Sequence, residues 1–240
     1  YRKDVPAKLN TIVSEIKWGR KGVQVVTNKG TINAKACIIT TSIGVLKAEK
    51  IKFSPPLPAR KIKALDGISM TYSNRVLMQL KKKFYKSKKI KNDTWFNTKC
   101  NSNGVKSPQT YYGSLKMGGS DVSLFGISGQ FAKDLGEEGD EAMIDFILND
   151  LKSTFGSKFY KKYFIKAKSI AWSKNPFTFG SYTGAIPGKA NNLRRELRMP
   201  VGDKIFFAGE ATALAFSTVH GADRSGKRAA TEAYISSALD

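Results

Sequence analysis

The residues whose types and spacing could do chemistry lie near the end of the chain, in Lys204-Ile205-Phe206-Phe207-Ala208-Gly209-Glu210 and then Thr218-Val219-His220-Gly221-Ala222-Asp223-Arg224-Ser225-Gly226. The first run reads as a short buried strand, a glycine turn and a carboxylate; the second reads as a loop passing into a helix. Gly209 carries no Cβ, so backbone there can approach a ligand closely. A helix beginning near Gly221 offers unpaired N–H groups and the positive end of its dipole, which together stabilise a phosphate or another delocalised negative charge. Other chemistries are poorly supplied. The chain has one histidine, His220, and two cysteines far apart, Cys37 in an apolar run and Cys100 in a polar loop. Neither a disulfide framework nor a metal site with clustered His and Cys ligands is supported.

These residues need a scaffold, and the apolar pattern supplies one. Leu9 to Thr31 alternates apolar and polar residues around Trp18-Gly19-Arg20-Lys21-Gly22 and predicts a β-meander, with Asn28-Lys29-Gly30 as the next turn. Ala36-Cys37-Ile38-Ile39-Thr40-Thr41 is a continuous apolar run of the kind buried on both faces of a sheet, and should end beside a ligand. Ile51 to Pro58 contains three prolines and is expected to be a rigid crossing segment, neither helix nor central strand. A short helix over 59–65, a strand over 75–80, loops and weak strands over 97–120, a helix over 140–154 and a strand over 165–172 follow. Asp140 and Glu141 at the start of the 140–154 segment suit the positive end of a helix dipole. The alanine-rich end of the chain predicts a helix over 221–239, with Ala222, Ala229, Ala233 and Ile235 available for its core face.

Five segments, in order along nearly the whole chain, resemble the flavin-containing amine oxidases: polyamine oxidases, lysine-specific histone demethylases and monoamine oxidases. Leu9-Asn10-Thr11-Ile12-Val13 is similar to L-N-x-x-V, Ile38 to Lys47 to I-V-T-x-P-L-G-V-L-K, and Ile51 to Pro58 to I-x-F-x-P-P-L-P. Trp172, Asn175-Pro176 and Gly180-Ser181-Tyr182 match W-x-x-D-P-x-x-x-G-S-Y. The end of the chain matches F-F-A-G-E, an aromatic six residues on, and T-V-H-G-A-x-x-S-G. The second of these segments favours the polyamine oxidase and histone demethylase branch. The resemblance implies an α+β fold: a partial, Rossmann-like FAD-binding domain in pieces at roughly 1–48 and 191–240, interleaved with a mixed-sheet substrate-binding domain at 49–190. It implies FAD as cofactor, with Val13 packed by the adenine, Glu210 at the ribityl and pyrophosphate region, and Thr218, Val219, His220 and Ala222 along the flavin edge. Thr41, Trp172 and Gly209 join that cofactor-binding set, while Arg75, Phe216 and Tyr182 face the substrate as the catalytic set. The implied reaction moves a hydride from the C–H beside an amine nitrogen to flavin N5, giving an imine that water hydrolyses, and dioxygen reoxidises the flavin to give hydrogen peroxide.

The chain departs from the family pattern in three places and in one larger respect. Arg75, in Asn74-Arg75-Val76-Leu77-Met78-Gln79-Leu80, occupies the position of a lysine that holds a water near flavin N5; a guanidinium is planar and always charged, so it cannot act as a tunable amine. Asn175 replaces an aspartate, and the loop between Phe216 and Thr218 is one residue shorter. The larger departure is that no G-x-G-x-x-G follows a strand early in the sequence, so the element that cradles the FAD pyrophosphate must come from elsewhere. A second chain supplying the N-terminal FAD-binding half is the expected partner, because an open sheet short of strands exposes edges and apolar surface.

Charge bounds the remaining readings. The 41 Lys and Arg against 19 Asp and Glu leave +22, a field that attracts polyanions and disfavours a cationic amine unless local carboxylates offset it. The expected substrate is a small-molecule amine. The two rival readings are an L-amino acid oxidase, whose anionic substrate the field would capture, and a catalytically silent subunit binding nucleic acid or another polyanion. The densest basic stretch, Lys81 to Lys91, could hold phosphates or acidic lipid headgroups. With no long apolar run and no apolar core near Tyr1, the chain is expected to be soluble and without a signal peptide, its compartment unknown.

Overall fold

The computed structural model describes residues 5–97, 111–188 and 190–238, so Cys100 and most of the expected 97–120 loop lie outside the described residues. The chain forms two units: Tyr1–Met70 with Tyr182–Asp240, and Thr71–Ser181 inserted between them. The divisions fall after 70 and after 181, not near 48 and 190. The physical reason is shared cores: Ile51, Phe53 and Leu57 of the crossing segment pack on the cluster of Ile39, Ile205 and Phe207, and Ala64 and Leu65 of the Ala59–Asp66 helix pack with Ile43, Leu197 and Ala211.

In the first unit the expected meander forms a sheet in the order Gly30–Ala34, Gly22–Thr27, Val13–Gly19, Lys52–Ser54. Its last pair is parallel, Glu15 opposite Lys52, and the proline-flanked strand takes the edge, where missing donors cost least. Ile16 and Val23 point inward against Ile39, Val201, Ile205 and Phe207. The strands Cys37–Ile39 and Ile205–Phe207 pair in parallel, Phe206 opposite Ile38. The apolar run around Cys37 is less enclosed than its composition suggests, for Ile39 is buried but Ile38 is exposed and Cys37 only half-buried. The reason is sheet size: this parallel sheet has two strands, so one neighbour covers what several normally would.

The Val219–Ala238 helix buries Gly221, Ser225, Ala229 and Ala233, a stripe of small residues one turn apart. Ala229 and Ala233 pack directly on Phe206 and Ala208, since small side chains let the helix lie close to the strand. Ile235 is 53% exposed, because two residues past Ala233 a helix has rotated about 200° and points away from that stripe.

In the second unit five strands run in the order Phe164–Ile170, Ser73–Leu80, Val122–Ser128, Tyr111–Leu115, Thr94–Asn97. A mixed sheet is the sequence expectation, but all four pairings are antiparallel. The three helices between Val122–Ser128 and Phe164–Ile170 return the chain to the far side of Ser73–Leu80, where both neighbours run opposite to it. Val76, Met78 and Leu80 alternate onto one face and meet Met143, Ile147, Leu148 and Leu151 of the Asp140–Phe155 helix. Among the described residues no helix is long and apolar enough to cross a membrane.

Candidate functional site

The parallel strands Cys37–Ile39 and Ile205–Phe207 end side by side. The Ala208 N–H donates to the Ile39 carbonyl at 2.9 Å, so Thr40-Thr41 and Gly209-Glu210 leave the sheet together. The C-terminal ends of parallel strands are where open α/β sheets bind ligands. Gly209 has φ 115°, a conformation other residues adopt only with strain, and the nearest atom to a Cβ placed there is the Thr40 carbonyl oxygen at 3.9 Å. Its N–H donates to Ser225 Oγ at 2.8 Å, and that hydroxyl donates back to the Gly209 carbonyl. The turn and the first turns of the Val219–Ala238 helix are thereby locked to one another.

The helix starts two residues before the expected Gly221 because Thr218 caps it. Thr218 Oγ1 accepts from the Gly221 N–H at 3.0 Å and donates to the Ala215 carbonyl at 2.6 Å. A Cβ at Gly221 would lie 2.0 Å from the Ala215 oxygen, so only glycine lets the loop fold back over the helix end. Val219 and His220 are exposed, and Ala222 is half-buried beside them. Val13, on the first strand of the meander, packs against the cluster that contains Ile39 and Phe207.

Glu210 is the hub of a network that the sequence reading did not foresee. Its Oε1 accepts from the Thr183 N–H at 3.0 Å; its Oε2 accepts from Thr183 Oγ1 at 2.8 Å and from the Ser217 N–H at 2.7 Å. Ser217 holds φ 60° and closes the ring by donating its hydroxyl to the Thr183 carbonyl. Thr183 Oγ1 also accepts from Arg194 Nη1 at 2.8 Å, so one hydroxyl relays between carboxylate and guanidinium. Arg194 is buried, donates further to the carbonyls of Ala211 and Gly184, and lies 4.0 Å over the ring of Phe216. Burial pulls the Arg194 guanidinium below its ordinary range, and Glu210 acts in the opposite direction. Phe216 therefore has one face occupied by a cation of the protein itself. Thr183 follows Tyr182, which is 39% exposed at the start of the Tyr182–Gly184 strand. Arg194 gave little signal, since nothing in Leu193-Arg194-Arg195-Glu196 sets one arginine apart from the other.

Arg75 and Trp172 belong to the second unit. Arg75 Nη1 donates to Ser73 Oγ at 2.5 Å and to the Asn74 carbonyl at 3.1 Å, and the guanidinium sits 5.4 Å from the centre of the Tyr112 ring. Trp172 is 37% exposed, and its carbonyl accepts from Thr178 Oγ1 and from the Asn175 and Gly180 N–H groups, folding the 172–180 loop around itself. Among the described residues no group of His, Cys, Asp and Glu is gathered that could hold a metal ion.

The sequence profile of a family described as flavin containing amine oxidoreductase matches residues 2–233. The chain belongs to that family. Among its relatives, polyamine oxidase 3 of Oryza sativa subsp. japonica is 33% identical over 237 residues, covering 96% of the chain and 46% of the relative. Lysine-specific histone demethylase 1 homolog 1 from the same organism is 27% identical, covering 94% of the chain and 26% of the relative. The chain thus spans about half the length of the polyamine oxidases it matches. A solved structure of wild-type putrescine oxidase bound to putrescine superposes with a TM-score of 0.68 at 20% identity, covering 94% of this chain and 48% of the other. At that identity the likeness is one of fold.

Proposed function

We propose that this chain contributes the C-terminal portion of an FAD-dependent amine oxidase of the polyamine oxidase type, in which the first unit carries part of the flavin site and the substrate-facing Phe216 and Tyr182. The observation behind the proposal is the juxtaposition of Gly209, Thr41 and the Thr218-capped helix start at the ends of two parallel strands, in a member of the amine oxidoreductase family. The residues fit the group: an open glycine turn admits a flat ring system, and exposed amides at a helix start suit its negatively polarised edge. Of the first unit, Val13, Thr41, Gly209, Glu210, Thr218, Val219, His220 and Ala222 would hold the FAD, whose bound flavin supplies the acceptor for a hydride from the C–H beside the amine nitrogen.

Glu210 works chiefly by position. It fixes Ser217, and through Thr183 and Arg194 it fixes Phe216, the aromatic that would flank the substrate with Tyr182. One lone pair of Oε1 remains for a ribityl hydroxyl. Arg75 would hold water or an anionic substrate group through donors not spent on Ser73 and Asn74. Its presence favours the two rival readings, a catalytically silent subunit and an amino-acid-directed oxidase, since a pinned guanidinium cannot give up a proton. The pyrophosphate cradle comes from polypeptide beyond these 240 residues, supplied by a second chain or by the same precursor.

The test is the visible absorption of native material, with hydrogen peroxide measured against a panel of polyamines, monoamines and L-amino acids. Oxidised-flavin absorption with peroxide from a polyamine or monoamine supports the proposal. Flavin with turnover of L-amino acids alone shifts the substrate class, and flavin without peroxide from any substrate leaves the silent reading.

A further inference from the structure

We infer that the second unit contains a binding site, made of residues other than the proposed flavin and substrate-facing ones, for a compact soluble anion bearing several phosphate groups. The stretch Lys81–Lys91 holds seven lysines and no acid. Its helix, Lys82–Ser87, buries Phe84 and Tyr85 in the aromatic core, which turns Lys82 and Lys86 outward one above the other. Like charges at that spacing destabilise a helix. The chain then reverses through Lys89, at φ 53°, and returns as Lys91. Facing this segment is Lys116, half-buried and at φ 57°. Left-handed backbone suits Gly or Asn and costs other residues about 1 kcal/mol or more, yet both positions carry lysine.

Together Lys82, Lys86, Lys89, Lys91 and Lys116 line a cleft of about 860 Å³. Its shape is fixed by hydrogen bonds between the walls: the Lys116 carbonyl accepts from the Asp93 N–H at 3.2 Å, and Asp93 Oδ1 accepts from the Gly118 N–H at 2.8 Å. The lining includes one carboxylate, Asp121, whose Oδ2 accepts from Gln79 Nε2 at 2.8 Å. Among the ion pairs of the described residues, none involves these five lysines. A walled cluster of unneutralised ammonium groups is a site for negative charge.

The walls also indicate which anion. Single-stranded nucleic acid is gripped by exposed aromatic faces beside a basic groove. Here the aromatic in the lining, Tyr85, is buried and spends its hydroxyl on the Asp121 carbonyl and Ser123 Oγ. A membrane surface calls for apolar side chains to insert, and the lining offers only half-buried Ile90. The volume lies in the range of small-molecule sites, and lysines act as point charges on individual phosphates.

The experiment is titration calorimetry of the intact chain with inositol hexakisphosphate and with tripolyphosphate at about physiological ionic strength, where long-range attraction is screened within ~8 Å. The K86Q/K89Q/K116Q variant is compared with K21Q/K152Q/K161Q, which removes equal charge from exposed positions elsewhere, and melting curves verify that both fold. The expected result is saturable binding at one site, weakened about tenfold or more by the cleft variant and changed less than about twofold by the control. Equal weakening in both variants would assign the binding to net charge and overturn the site. Binding confined to an oligonucleotide, or to vesicles carrying a phosphorylated inositol lipid, would overturn the assignment to a soluble anion.

Discussion

At the scale of single residues, Arg75 and Glu210 make the sharpest tests. On the proposed reading Arg75 takes the place of a lysine beside the flavin, and its Nη1 is held by Ser73 Oγ and the Asn74 carbonyl. A lysine there has a shorter reach, three rotatable donors and a titratable amine. The R75K variant of the flavin-loaded protein is therefore expected to oxidise its amine at least about tenfold faster, read as peroxide release under saturating substrate, with flavin absorption unchanged. An unchanged or lower rate would mean that the guanidinium is already suited to this substrate. For Glu210, replacement by Gln sets an amide N–H₂ against donors from Thr183 and Ser217, and leaves buried Arg194 without its counter-charge. The expected loss is about 2 kcal/mol of stability, seen as a lower urea midpoint. Glu210 was visible in the sequence because it follows a glycine turn, but its partners were not. Thr183, Arg194 and Ser217 are recruited from three separate segments, and nothing in local spacing tells a buried arginine in Asn192-Leu193-Arg194-Arg195 from an exposed one.

At the scale of elements, the Ala59–Asp66 and Ala190–Arg198 helices are joined by Lys61, whose ammonium donates to the carbonyls of Glu196 and Leu197 at 2.7 Å each and to that of Met199. The Leu197 carbonyl is one that a helix end leaves unpaired, the Glu196 carbonyl accepts from the Met199 N–H at 3.2 Å as well, and a cation at that end meets the negative pole of the dipole. Burial pushes Lys61 from 10.5 down to about 7, with Arg60 and Arg228 lowering it further and Glu196 opposing. The folded chain releases this proton near pH 7, while the unfolded chain keeps it to about 10.5, so the unfolded state binds more protons in between and stability rises with pH across that window. Cys37 opposes this near the top of the window, because burial raises its thiol. It does so equally in wild type and in K61M, so the difference between them isolates Lys61. K61M should have a flatter rise in urea midpoint from pH 7 to 10, and should be less stable at pH 10 by about 2 kcal/mol, because the neutral amine still donates two hydrogen bonds there and methionine donates none. Equal slopes would place the Lys61 proton outside the window. Elements were legible where a period repeats over many residues: the meander from Val13, the helix from Asp140, and the final helix, of whose expected core face Ala229 and Ala233 are buried while Ile235 is exposed. The antiparallel sheet was less so, because strand direction depends on how far intervening helices carry the chain, and no alternation of residues records it.

At the scale of the molecule, the two units differ in how completely they enclose their apolar residues. In the second unit, sixteen buried residues from Val76 to Tyr163 form one continuous core between a five-stranded sheet and its helices. In the first, the strands nearest the proposed flavin site make a two-stranded pair with Ile38 exposed, and Leu214 and Val219, which follow Glu210, are 85% and 76% exposed. Exposed apolar groups gathered near a ligand site mark surface that another polypeptide covers. The chain also spans about half of its polyamine oxidase relatives, and its sequence has no G-x-G-x-x-G. The expectation is that the purified chain alone is colourless and binds the apolar dye ANS. Co-expression with a polypeptide carrying the dinucleotide-binding half should give a yellow complex, one copy of each part, with ANS fluorescence largely lost. A chain that is a stable monomer, silent to ANS and unable to acquire flavin from such a partner, would show that this surface needs no cover, and the flavin reading of the first unit would fall with it.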